Sequence, residues 1–209
     1  MSVALAIISN KSVVVASDSR VIHDGQKILS DCFNKTFSIP DKSVLGAYTG
    51  TMCFCGKSVG EHINEIVKNE CKNMSSMEEM ITIIAQSFSI RMKNISEEEV
   101  GFCHRKIDLL IADTHTLYWV RFEPNKDNEE ICFTSPCKYY PYCVCGDDNA
   151  REATSKVLKE KENCIETMQA KNLISLAKRA IQKGIDNAGS HPQNPQICSC
   201  GGKIFHQCI

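Results

Sequence analysis

The chain opens Met1-Ser2, and its second residue can do chemistry that an internal serine cannot. Once Met1 is cleaved, Ser2 carries a hydroxyl and a free α-amine, a nucleophile and its base in one covalent unit. A serine hydroxyl attacks poorly unless its proton is removed and the oxyanion formed on attack is stabilised. Strand-like sequence carries Ser2 to a charged step, Ser17-Asp18-Ser19-Arg20. Gly50 stands where a strand is expected to turn into a helix, so its N–H can face a substrate carbonyl with no side chain in the way.

Residues 3–8 and 12–19 are rich in β-branched and small apolar types and flank the turn signal Ser9-Asn10-Lys11, which predicts an antiparallel pair. A polar loop containing Gly25 precedes two further strands, 35–39 and 43–49, joined at Pro40-Asp41-Lys42. Helical spacing then takes over in Cys55, Val59, Ile63, Ile66 and Val67, and again from Met77 to Ile95, where Ser76 and Glu79 form a candidate capping box. Strands return at 106–112, 117–122, 130–134 and 141–145, followed by helical spacing over 150–158 and 173–185. Strands, two helices, strands and two helices do not make the βαβ alternation of a parallel sheet. The order predicts an α+β fold: a four-layer α/β/β/α sandwich of two antiparallel sheets, one domain over residues 1–209.

With 209 residues, 43% hydrophobic, the chain can bury a sizeable core. A net charge of -1 gives no electrostatic reason to expect nucleic acid or an anionic membrane. The apolar stretch 3–8 is too short for a signal core or a membrane span, so a cytoplasmic location is expected. Thirteen cysteines without an export signal suggest reduced core thiols. Cys198, Cys200, His206 and Cys208 have ligand types suited to zinc. Gly201-Gly202 competes with that reading: as a two-residue hairpin turn it pairs Cys200 with Lys203 and Cys198 with Phe205, and throws His206 and Cys208 onto the opposite face. The hairpin is preferred, no metal is assigned, and no phosphate-binding glycine loop is present. The remaining histidines, His23, His62, His104, His115 and His191, form no pair at triad or ligand spacing. Glu97-Glu98-Glu99 reads as a solvated run, and Met77, Met80 and Met92 as core.

Several segments together, Ser2, Val13-Val14-Val15-Ala16-Ser17-Asp18-Ser19-Arg20, Lys35-Thr36-Phe37-Ser38-Ile39 and Gly46-Ala47-Tyr48-Thr49-Gly50, resemble the proteasome β-subunit family and its bacterial proteasome-like relative, among the N-terminal nucleophile hydrolases. Leu109-Leu110-Ile111-Ala112 with Leu117-Tyr118 is similar to the family's central hairpin. The resemblance implies that Ser2 is the nucleophile in place of the usual threonine. It implies that the Lys35 ammonium lowers the pKa of hydroxyl and amine, that Asp18 holds Lys35 by an ion pair, and that Arg20 braces the strand end. Cys145 falls where the family has a serine near the nucleophile. Asp186 and Ser190 are the neighbours of the family's late aspartate and serine. Val21, Phe33, Tyr48 and Met52 are implied to line the pocket for the side chain before the scissile bond.

The function expected from this resemblance is peptide or small-amide hydrolysis through an acyl-enzyme on Ser2, without cofactor, in a homo-oligomeric ring or part-ring. It leaves room for an unfoldase partner and for acyl transfer instead of hydrolysis. The alternative is a catalytically silent subunit, an assembly or binding scaffold that keeps Met1. Taken singly, Asp18 and Arg20 also read as a surface ion pair and Lys35 as a solvated edge residue.

Overall fold

The computed structural model describes residues 2–23, 27–72, 74, 76–93, 106–124, 131–134, 136–191 and 194–209. Met1, Gly25, the run Glu97 to Glu99 and His104 lie outside the described residues. Strand β1 (Val3–Ser9) turns at Asn10-Lys11 into β2 (Ser12–Ser17), with Ala4 opposite Ser17 and Ser9 opposite Ser12. Both strands are buried on both faces, which is why they read as continuous apolar runs rather than alternating ones. The expected polar loop contains a ribbon, β3 (Val21–His23) with β4 (Lys27–Ser30). Then come β5 (Thr36–Ile39), β6 (Val44–Gly50), and a small ribbon of β7 (Cys53–Phe54) and β8 (Lys57–Ser58).

Helix α1 (Val59–Glu70) starts at Ser58, whose hydroxyl accepts from the Glu61 amide while the Glu61 carboxylate accepts from the Ser58 amide. The expected helical start near Cys55 is therefore late: Cys55 sits in the β7–β8 turn at φ 48°. Helix α2 (Met77–Lys93) follows. Strands β9 (Ile107–Ala112), β10 (Leu117–Pro124), β11 (Ile131–Phe133), β12 (Cys137–Tyr139) and β13 (Tyr142–Gly146) lead to α3 (Asp148–Lys159), α4 (Glu162–Ile165) and α5 (Ala170–Asn187). The chain continues through β14 (Ser190–His191), β15 (Asn194–Cys198) and β16 (Phe205–Cys208).

Two antiparallel sheets result, ordered β13-β1-β2-β16 and β11-β10-β9-β6-β5, with β12 pairing β10. Alternation along β1 sends Val3, Leu5 and Ile7 toward α3 and α5, and Ala4, Ala6 and Ile8 toward the second sheet. On β6, Leu45 and Ala47 meet the first sheet, while Val44 and Tyr48 meet α1 and α2. This is the four-layer α/β/β/α sandwich expected from the order of elements. No helix among the described residues is long and apolar enough to cross a membrane.

The late hairpin is a correction. β15 pairs with β14, Ser190 facing Cys198, and β16 pairs with β2, Phe205 facing Ser17. Gly201-Gly202 does not close a two-strand ribbon, because its backbone groups are spent on the end of β2. The cysteines are a second correction: Cys71, Cys143, Cys145 and Cys200 are buried thiols, but Cys32, Cys53, Cys55, Cys137 and Cys164 lie at the surface.

Candidate active site

Ser2 extends β1 between β2 and β13, and each neighbour grips its backbone. On one side the Val3 amide donates to Asp18 Oδ1 at 3.1 Å, and the Asp18 amide donates to the Val3 carbonyl at 3.1 Å. On the other the Asp147 amide donates to the Ser2 carbonyl at 2.8 Å. Gly146, opposite Val3, makes this approach at φ 118°, where a Cβ would lie 1.9 Å from the Ser2 oxygen.

Lys35 comes from the other sheet, just before β5, and its carbonyl accepts from the Tyr48 amide. Its Nζ donates to Ser2 Oγ at 2.7 Å, Asp18 Oδ1 at 2.9 Å and the Arg20 carbonyl at 2.7 Å. An ammonium has three hydrogens, and each has an acceptor here. As an ammonium, Lys35 presents positive charge to Oγ. Asp18 accepts from four donors: the Val3 amide, Lys35, the Arg20 amide at 3.3 Å and the Gly201 amide at 3.1 Å. Ser2 is 1% exposed, and Asp18 and Lys35 are fully buried. Lys35 is therefore not a solvated edge residue, and Asp18 pairs in the interior with Lys35 while the carboxylate partner of Arg20 is Asp31. A buried pair persists when its remaining hydrogen-bonding capacity is met, as it is here.

Arg20 braces the strand end by a route the sequence did not indicate. Its Nε and Nη2 donate to the Asp31 carboxylate at 2.7 and 3.1 Å, and its Nη1 donates to the carbonyls of Cys198 at 3.3 Å and Cys200 at 3.4 Å. The Arg20 guanidinium holds the Asp31 carboxyl below its usual range.

Sequence reasoning missed Asp31, Asp147, Ser199 and Gly201. Asp147 Oδ1 accepts from the Ala150 amide and starts α3, while its Oδ2 accepts from Ser199 Oγ at 3.1 Å. An aspartate directly after a strand glycine and before a helix was a readable cap signal. No local signal marked the other three.

Gly50 ends β6 at φ 94°, opposite Ile107, where a Cβ would meet the Lys106 carbonyl at 1.9 Å. It leads into the β7–β8 ribbon rather than directly into a helix. Cys145 is buried between the sheets opposite Ala4 and accepts from Thr49 Oγ1 at 3.9 Å. Burial pushes its thiol well above the ordinary value, so it stays neutral. Two implied residues are not brought to the site: Asp186 is exposed on α5 and accepts from Gln182, and Ser190 is exposed in β14. Tyr48, implied for the pocket, has its side chain buried in the cluster beneath α1 and α2. Phe33 and Met52 are half-buried against that same cluster, and Val21 lies on β3 opposite Ser30. Among the described residues, no group of three or more His, Cys, Asp or Glu side chains is placed to hold a metal. Of the zinc-type cluster, Cys198 Sγ bonds the Ala188 carbonyl, and Cys200 lies beside Ser199.

No protein-family model and no curated protein sequence matches the chain. Solved structures do. Eukaryotic HslV from Trypanosoma brucei is 10% identical, with a TM-score of 0.55 over 99% of this chain and 98% of that one. BPH of Thiobacillus denitrificans, solved in complex with epoxomicin, is 9% identical at a TM-score of 0.57, covering 99% and 97%. Anbu, an ancestral β-subunit from Yersinia bercovieri, is 14% identical at a TM-score of 0.62, covering 99% and 81%. At these identities the likeness establishes the fold alone, the one that HslV, BPH and Anbu share.

Proposed function

We propose that this chain, on a proteasome-like fold, is an amide hydrolase whose nucleophile is Ser2 once Met1 has been removed. The observation that carries the reading is the 2.7 Å bond from Lys35 Nζ to Ser2 Oγ, made out of contact with solvent. Lys35 stabilises the alkoxide electrostatically, and the freed α-amine of Ser2 takes the hydroxyl proton. Oγ adds to the substrate carbonyl carbon, and the carbonyl π electrons move to oxygen. That oxyanion is met by the Gly50 N–H, a donor of a kind worth about 3 to 4 kcal/mol of barrier. As the C–N bond breaks, the leaving nitrogen takes the proton from the α-amine. Water then attacks the acyl carbon, giving a proton to the amine, and as the C–Oγ bond breaks the amine returns that proton to Oγ and the acid is released.

The substrate is a peptide or small amide with an apolar residue before the cleaved bond, received by Val21, Phe33 and Met52 with Tyr48 behind them. The chain works in the cytoplasm as a homo-oligomer, with or without an unfoldase. Burial of Ser2 to 1% favours one second reading, a silent scaffold in which Oγ is never unmasked.

Intact mass and inhibitor labelling decide the matter. Loss of the methionine mass, turnover of fluorogenic peptides, and covalent uptake of epoxomicin at Ser2 support hydrolysis. A chain with a demonstrated free Ser2 amine that neither cleaves nor labels is a scaffold.

A further inference from the structure

We propose that Asp31, acting through Arg20, is a positioning residue that fastens residues 199–203 over the buried charges beside Ser2. The fastening is a matter of geometry alone; its effect on turnover rests on the amide-hydrolase reading above.

The Arg20 fork divides its work. Two nitrogens engage Asp31 in bidentate fashion, and the third seats the carbonyls on either side of Ser199. Between those anchors and Lys203 the segment meets the site. The Gly201 amide donates to Asp18 Oδ2, and the Gly201 carbonyl accepts from the Ser19 and Arg20 amides at 3.1 Å each. Ser199 Oγ donates to Asp147, whose own amide holds Ser2. The Asp31 carbonyl closes the loop, accepting from Ser19 Oγ at 2.5 Å and from the Lys203 amide at 3.1 Å. Only glycine fits beneath the fork: a Cβ at Gly201 would lie 2.5 Å from Arg20 Cζ, and one at Gly202, at φ 78°, would lie 2.4 Å from Ser19 Oγ.

Ser199 and Cys200 are 0% and 1% exposed, whereas the Asp31 side chain is 42% exposed. A surface carboxylate therefore controls where buried donors sit. An exposed ion pair contributes little to global stability. Its removal is read in the position of the segment, and through Asp18 in the orientation of Lys35.

The test uses the processed full chain with Asp31→Asn and Arg20→Lys, the latter keeping the charge but not the fork. Expected for both is amide exchange at Gly201 faster by about tenfold or more, the effect of removing one charge-assisted hydrogen bond. Turnover should fall, with kcat down about tenfold and KM within about twofold, since the substrate is not touched. Asp31→Glu should recover part of both. Wild-type exchange at Gly201 in the two variants overturns the fastening. Faster exchange with unchanged kcat, or a loss confined to KM, overturns the positioning role. If wild-type protein with a free Ser2 amine is itself inert, the hydrolase reading fails, and exchange at Gly201 alone still decides the fastening.

Discussion

The backbone amide of Asp147 holds the carbonyl of Ser2 at 2.8 Å, so the main chain of the proposed nucleophile is tied to the residue that starts α3. The approach is possible because Gly146 has no side chain. Gly146→Ala should push Ser2 off Lys35 and strain a backbone that only glycine adopts readily, at about 1 to 3 kcal/mol. Turnover and epoxomicin uptake should fall at least tenfold while the circular dichroism spectrum persists. Labelling at the wild-type rate would show that the Asp147 contact does not set the position of Ser2.

The couple of Lys35 and Asp18 gives a stability prediction separable from catalysis. Lys35→Met leaves a buried carboxylate without its partner and should cost about 3 to 5 kcal/mol in denaturant unfolding. Adding Asp18→Asn removes the uncompensated charge and should recover part of that loss, although its single amide oxygen can accept from only one of the Val3 and Gly201 amides, and it should restore no turnover. Recovery of activity along with stability would remove Lys35 from the chemistry.

Ser2→Ala should abolish peptide turnover and inhibitor uptake, and because it leaves one hydrogen of the buried Lys35 ammonium without an acceptor it should also cost about 1 to 3 kcal/mol of stability. Ser2→Thr keeps hydroxyl and amine and should retain measurable turnover. An acetyl group left on the Ser2 nitrogen should silence either version. Activity in the acetylated chain, established by mass, would assign the proton to a base other than the α-amine.

His62 supplies a pH prediction far from the site. Its ring is stacked 3.9 Å from Phe54 between α1 and the β7–β8 ribbon, and its Nε2 bonds the Phe54 carbonyl at 2.9 Å. Burial lowers its pKa below 6.5; the bond to Phe54 opposes this, and the charge of Arg91 adds to it. The unfolded chain therefore binds this proton first. The contribution is fully present above about pH 6.5 and is lost as pH falls through the lower folded value. Arg91, Glu65 and Lys57 surround the ring, and the Glu65 carboxylate is itself held low by both cations. Melting temperature should drop between about pH 7 and pH 5, and His62→Gln should flatten that drop. Identical slopes for the two proteins would rule the assignment out.

The layers were legible because each strand and helix carries its own period. The doubly buried runs of β1 and β2 could only be an inner sheet, and the α1 and α2 stripes required a partner face. Lys35 and Asp18 were identifiable only through the resemblance of their segments to the proteasome β-subunit family. The face of β6 on which Tyr48 lies was not legible, because β6 is apolar on both faces and parity without sidedness does not say which face meets the helices. The late segment was misread for a different reason. Gly-Gly between two apolar stretches satisfies a hairpin rule locally, but a buried carboxylate and a guanidinium far back in the chain compete for the same amides and carbonyls. No local window contains both competitors.

Asp18 and the Gly201 amide are 183 positions apart in sequence. A ribosome must have translated past that glycine before the carboxylate next to Ser2 receives its last donor. The hydrogen-bond set around that carboxylate is thereby completed only late in synthesis.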